Sequence, residues 1–226
     1  MEQTPENVVR DEKKYDGAPQ SRPMSARRAH KNKTQYMVTL AFLCAVVVVL
    51  QLWGSAIPFF GGTSLCLVLI PIVVGGLMLG VQAGAILGFV FGLFVLVWCG
   101  ILAYDPFTAF LFSQNPVIII LICILKGTVA GFVPPLLHRL LRHRLPHGST
   151  VIAAVSAPIC NTGIFLLGML LILNSLRTYL DGVVTVGYFF GAIILTNFAV
   201  ELAINLIASP AIYRVTQVVT SKLRKY

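Results

Sequence analysis

Lys126 interrupts an otherwise apolar run from Pro116 to Leu137, ten residues from one end and eleven from the other. At about 1.5 Å of helix rise per residue either end is ~15 Å away, beyond the easy reach of a lysine stem. An ammonium in the middle of a membrane span costs roughly 2.5–3.5 kcal/mol on insertion scales, so something must compensate it. Three compensators are open: a carboxylate within a helix bundle, a ring of polar side chains and water, or the negative charge of a bound solute. Two later apolar runs carry polar residues at matching depth, Asn161 with Thr162 in one and Asn197 in the other. Such a layer could hold a solute by one charge and several hydrogen bonds. Its alternative role is to glue helices together, at about 0.6 kcal/mol per contact. Asn197, Glu201 and Asn205 recur every four residues and so share a helix face, which makes Glu201 the ionic partner the chain offers Lys126. If the two pair, Lys126 is structural; if depth or rotation separates them, its charge serves an anion.

These residues must be positioned by membrane helices. Of 226 residues 57% are hydrophobic and 11% charged, and from Thr34 to Tyr104 no Asp, Glu, Lys, Arg or His occurs in 71 residues. A span needs about 20 apolar residues, so this run divides into three. They are expected at about Tyr36–Ile57, Ser64–Leu79 with a kink or a local break at Pro71, and Ala83–Ile101, the last two joined by a short turn at Gly80 that makes them antiparallel neighbours. Residues 102–115 read as a semi-apolar connection holding Asp105. Asn115-Pro116 then gives an N-cap followed by proline at the first helical position. The fourth span ends at Pro134-Pro135, the fifth covers Thr150–Leu173 with Pro158 inside, and the sixth covers Val184–Ala208, ending before Pro210. Pro158 leaves the Ala154 carbonyl without its usual donor and opens the backbone beside Asn161.

The expected architecture is thus all-α, an integral membrane bundle of six transmembrane helices. Near the span ends, five Lys and Arg (Arg22, Arg27, Arg28, Lys31 and Lys33) cluster before the first span, three follow the fourth and four follow the sixth, against Arg177 alone on the other side. Both termini are therefore expected in the cytoplasm. Asp105 and Asp181 fall on the outer side. Residues 1–35 read as a disordered basic cytoplasmic tail, 36–213 as the transmembrane domain and 214–226 as a basic C-terminal cytoplasmic tail. No cleaved signal peptide is expected, since its apolar core would lie nearer the start. The net charge of +9 flanks apolar runs and reads as a topology signal; no soluble domain remains to bind nucleic acid.

Gly84, Gly88 and Gly92 form a period-four stripe, Gly127 and Gly131 another, and Ala41 with Ala45 a third, patterns that let helix backbones approach. Trp53 and Trp98 lie near outer helix ends, placing them in the interfacial aromatic belt, with stacking on a flat ligand ring as the alternative. The five cysteines, Cys44, Cys66, Cys99, Cys123 and Cys160, lack paired spacing and read as small buried residues. His138, His143 and His147 match no zinc pattern, so no metal is expected. Motifs for serine hydrolysis, zinc proteolysis and nucleotide binding are missing, as is any pair of intramembrane carboxylates. The chain reads as no enzyme and needs no cofactor, and any energy source lies in another subunit or an ion gradient.

The run LVLIPIVVGGLMLG at 67–80, KGTVAG at 126–131, APICNTGIF at 157–165 and the Ala41-xxx-Ala45 spacing together resemble the S components of energy-coupling factor (ECF) vitamin importers. The likeness covers roughly residues 36–213. It implies a substrate-binding subunit of the bacterial-type plasma membrane that captures a vitamin from outside and works with a membrane T component and two ATPase subunits. By the same resemblance Ala41 and Ala45 would meet the T component, and the loop from Gly54 through Pro58, Gly61 and Gly62 would act as an outer gate. Lys126 would suit a carboxylate such as that of pantothenate. A neutral flavin such as riboflavin would lean on Asn161, Asn197 and the aromatics Trp53 and Trp98. Two rivals stand beside this reading: a stand-alone carrier or channel with a Lys126/Glu201 ion relay, and a structural membrane subunit.

Overall fold

In lipid every backbone polar group must bond within its own segment, which for a chain this apolar favours helix. The computed structural model describes residues 24–56, 67–145, 148–180 and 185–225, and every regular element among them is helical. In order these are α1 (Met24–Ala56), α2 (Leu69–Leu79), α3 (Val81–Val95) prolonged by a π-helical segment Leu96–Ile101, α4 (Pro106–Gln114), α5 (Pro116–Leu141), α6 (Gly148–Leu171), α7 (Leu173–Leu180), α8 (Val186–Tyr188) followed by a second π-helical segment Phe189–Ile194, and α9 (Leu195–Lys225). The chain divides into two units, Met1–Gln35 and Tyr36–Tyr226. The first contributes the opening turns of α1, and the second contains all the other elements named.

Among the described residues, five stretches are long and apolar enough to cross a membrane: Lys33–Gly54, Val81–Ile101, Pro116–Leu141, Gly148–Leu171 and Val186–Val218. The chain is a multi-pass membrane protein. α2 has 11 described residues, fewer than a crossing needs. Pro71 sits in its first turn, where the missing N–H has no helical acceptor to lose, and the described helix begins only at Leu69. The turn into α3 is as short as expected, since Gly80 is both the end of α2 and the start of α3, at φ 101°. An L side chain rarely adopts that conformation.

Glycine decides how the bundle packs. A Cβ on Gly84, Gly88 or Gly92 of α3 would overlap the carbonyl oxygen of Gly131, Gly127 or Cys123 of α5. The two helices thus run antiparallel with backbones in contact. The same space accommodates Pro135: a Cβ on Gly76 would lie 2.9 Å from its Cγ. α5 consequently continues through Pro134 and Pro135 to Leu141, beyond the expected end. Pro135 withholds an N–H from the Gly131 carbonyl, and a Cα–H of Gly84 points at that oxygen, a weak contact typical of close helix pairs.

α9 likewise continues through Pro210, where the sixth span was expected to stop. Proline there deprives the Leu206 carbonyl of its donor, and the Ser209 hydroxyl donates to it at 2.7 Å. Ser209→Ala is expected to cost about 0.5–1.5 kcal/mol of stability, the net worth of one hydrogen bond. In a Pro210→Ala background the restored N–H takes over and the cost should vanish. Thermal unfolding of the four combinations in detergent measures it, and an equal cost in both backgrounds would refute the compensation.

Candidate functional site

The antiparallel register sets depth. With Gly88 against Gly127, Lys126 lies level with Phe91 and its neighbours, while Cys99, eight residues on, lies near the start of α5. Phe91, Val95 and Cys99, four residues apart, line one wall of a cavity about 12 Å long on that spacing. The other walls are Gln51 of α1, Lys126 of α5, Asn161, Thr162 and Phe165 of α6, Ile194, and Asn197 with Glu201 of α9, and Asp105, Phe107 and Thr108 stand at the α4 end. Its volume of about 100 Å³ is several times the ~10–15 Å³ that one water occupies on the same measure. Both π-helical segments reach the cavity, through Cys99 and Ile194. Such bulges recur at functional sites because they re-aim side chains within a continuous helix.

The Lys126 ammonium lies 5.4 Å from the centre of the Phe165 ring and 6.0 Å from that of Phe91. Ring faces attract a cation and leave its hydrogen-bonding directions for another group. Glu201 is 2% exposed, and its Oε1 accepts a hydrogen bond from Asn197 Nδ2 at 3.3 Å; Asn205 Nδ2 donates to the Glu201 backbone carbonyl at 2.9 Å. The four-residue spacing thus produces a polar ladder along α9. The Oδ1 atoms of Asn161 and Asn197 are buried without a hydrogen-bond partner among the described residues. A buried acceptor left unmet costs about 1–3 kcal/mol, which a ligand's donor would relieve.

Lys126, Asn161, Thr162, Asn197 and Glu201 are therefore brought to one cavity. Trp53 is not: it is 73% exposed on the outward face of α1. Trp98 stacks between Phe94 and Tyr104 at 5.8 and 5.1 Å, away from the cavity lining. Ala41 and Ala45 lie exposed on α1, along the same face as Met37, Phe42 and Val49. Gly54 is buried at the end of α1, whereas Pro58, Gly61, Gly62, Cys66 and Asp181 lie outside the described residues. Among the described residues Cys44, Cys99, Cys123 and Cys160 form no disulfide, and no cluster could hold a metal ion.

Three polar contributors were passed over in sequence. Gln51 is neutral and stands alone in an apolar run, so it carried no signal. Asp105 and Thr108 belonged to a stretch read as connection, which instead forms α4. Ala103 turns the chain back with a φ of 54°, uncommon for a residue with a side chain. Asp105 then caps α4, accepting from Phe107 N at 3.3 Å, Thr108 N at 3.1 Å and the Thr108 hydroxyl. Asp-Pro-x-Thr was the legible sign of that cap. Asn115 precedes α5 as expected, but its amide donates to Ser175 Oγ at 2.7 Å and ties α7 to the α4–α5 junction. Phe107 packs on Tyr179 and Phe189 at 5.2 and 5.4 Å, roofing this end. Burial, and secondarily the charge of Asp105, pushes the Tyr179 hydroxyl above its ordinary value.

A helix bundle in the membrane whose cavity carries both charges and hydrogen-bonding groups between its helices has the chemistry a small polar solute would need within the apolar layer. The chain is similar to the pantothenic acid transporter PanT of Lactococcus lactis subsp. cremoris (strain MG1363), 28% identical over 195 residues, which take in 80% of this chain and 93% of the relative. The relationship supports the S-component resemblance carried by the motifs. No family model matches the chain.

Proposed function

We propose that this chain is the substrate-binding S component of an ECF-type vitamin importer in a bacterial-type plasma membrane, and that its solute is pantothenate. The observation that carries the reading is the cavity in which Lys126 faces two ring faces while Asn161 and Asn197 each hold a buried, unmet acceptor. Pantothenate offers one carboxylate for the ammonium, and hydroxyl and amide N–H donors for the acceptors. Riboflavin, neutral and flat, offers the ammonium no anionic group and finds neither tryptophan in the lining. Six spans with both termini in the cytoplasm, capture from outside and delivery through a T component and two ATPase subunits complete the proposal.

The experiment is to purify the chain in detergent, denature it and identify any released small molecule by mass spectrometry, then titrate the emptied protein with a vitamin panel. Pantothenate released or bound is the expected result. A folded protein that binds none of the panel would overturn the proposal. Ala41→Trp tests the partner face: uptake in cells should fall several-fold while solute affinity is retained, because a bulky ring blocks close helix approach without touching the cavity. Equal losses in uptake and affinity would refute that assignment.

A second reading draws on the presence of Lys126, Glu201 and Asp105 around one cavity, a set suited to an ion relay in a self-sufficient carrier. Solute transport by the purified chain alone in liposomes would favour it.

A further inference from the structure

The cavity carries opposite charges at different depths. Lys126 lies level with Phe91, whereas Asp105 follows the end of α3, beyond Cys99. Both Asp105 oxygens accept hydrogen bonds, Oδ1 from Phe107 N and Oδ2 from Thr108 N and Thr108 Oγ, so the group is held in a fixed orientation. Of about four acceptor sites on a carboxylate three are filled, and one remains. Thr108 has a single hydroxyl proton, and it is committed to Asp105. Toward the cavity Thr108 Oγ can therefore only accept. Nothing that Asp105 and Thr108 present here donates from a side chain.

We infer that Asp105 and Thr108 form an acceptor-only end of the cavity that takes the hydroxyl donors of the solute while Lys126 takes its carboxylate, and that this end rejects a solute carrying a second anionic group there. The inference deepens the proposed function and rests on it. An elongated molecule with an anion at one end and hydroxyls at the other is thereby bound in a single orientation. Its phosphate ester at the hydroxyl end is repelled by Asp105, because like charges brought together away from water are strongly unfavourable. The site would thus discriminate the free vitamin from its phosphorylated form.

The test is to titrate the purified full chain with pantothenate and with its 4′-phosphate ester, as wild type, Asp105→Asn and Asp105→Ser. Both replacements are good N-caps, so α4 keeps its cap while the charge is lost. Wild type should prefer pantothenate, and each variant should narrow that preference by about tenfold or more. An unchanged ratio in either variant that still binds pantothenate overturns the inference and leaves the solute assignment standing. Equal affinity of wild type for both ligands does the same. Failure of wild type to bind pantothenate overturns the solute assignment itself, and this inference with it.

Discussion

Lys126→Met is expected to weaken pantothenate binding by about 1.5–3 kcal/mol, roughly 10- to 150-fold, while leaving the protein as stable as before or more so. Methionine retains a flexible apolar stem to pack between Phe91 and Phe165, so the cavity wall is kept and only the ammonium is removed. Removing it also lifts the cost of a cation at mid-membrane depth, which is the reason stability should not fall. Loss of affinity with gain of stability is the mark of a functional charge, whereas a structural ion pair would lose stability when one partner goes. Binding of the neutral alcohol analogue of pantothenate supplies the control, since it should change little. Unchanged pantothenate affinity in a folded Lys126→Met protein would assign the lysine a structural role.

Gly88→Ala should destabilise the bundle by roughly 1–3 kcal/mol, the usual cost of overpacking a well-filled site. Helix propensity works the other way, favouring alanine over glycine by about 1 kcal/mol, so sterics must win for the net sign to hold. The new methyl meets the Gly127 carbonyl oxygen, and backbone cannot swing aside as a side chain can. Gly163 on α6 is the matched control, because a Cβ there meets nothing within 4 Å. Gly163→Ala should be neutral or slightly stabilising. Unfolding of the two variants in detergent decides the matter: equal stabilities would mean that α3 and α5 are not in backbone contact at this level.

The sites of these substitutions differ in how far sequence could lead to them. Lys126 was conspicuous because one charge among apolar residues is anomalous at any rotation of the helix. The stripes at Gly84, Gly88, Gly92 and at Gly127, Gly131 were readable as close-packing surfaces, yet which stripe meets which is a pairing between distant parts of the chain. Pro134, Pro135 and Pro210 were read as stops because proline breaks the local hydrogen-bond ladder. Their helices continue because glycines on neighbouring helices make room for Pro135, and Ser209 meets the carbonyl that Pro210 frees. Local rules carry the penalty of proline but not its compensation.

By itself, then, the sequence determined the all-helical membrane class and the polar residues at matching depth, including the i, i+4 face of Asn197, Glu201 and Asn205. Those follow from hydropathy and helical periodicity, which act within single segments. Only the tertiary structure decided that Asp105, Thr108 and Gln51 join Lys126 around one cavity, that the π-helical segments turn Cys99 and Ile194 toward it, and that Trp53 faces outward. A segment's rotation and the return of a connection into the bundle are fixed by contacts with other helices, and those contacts are not written in any one stretch of the chain.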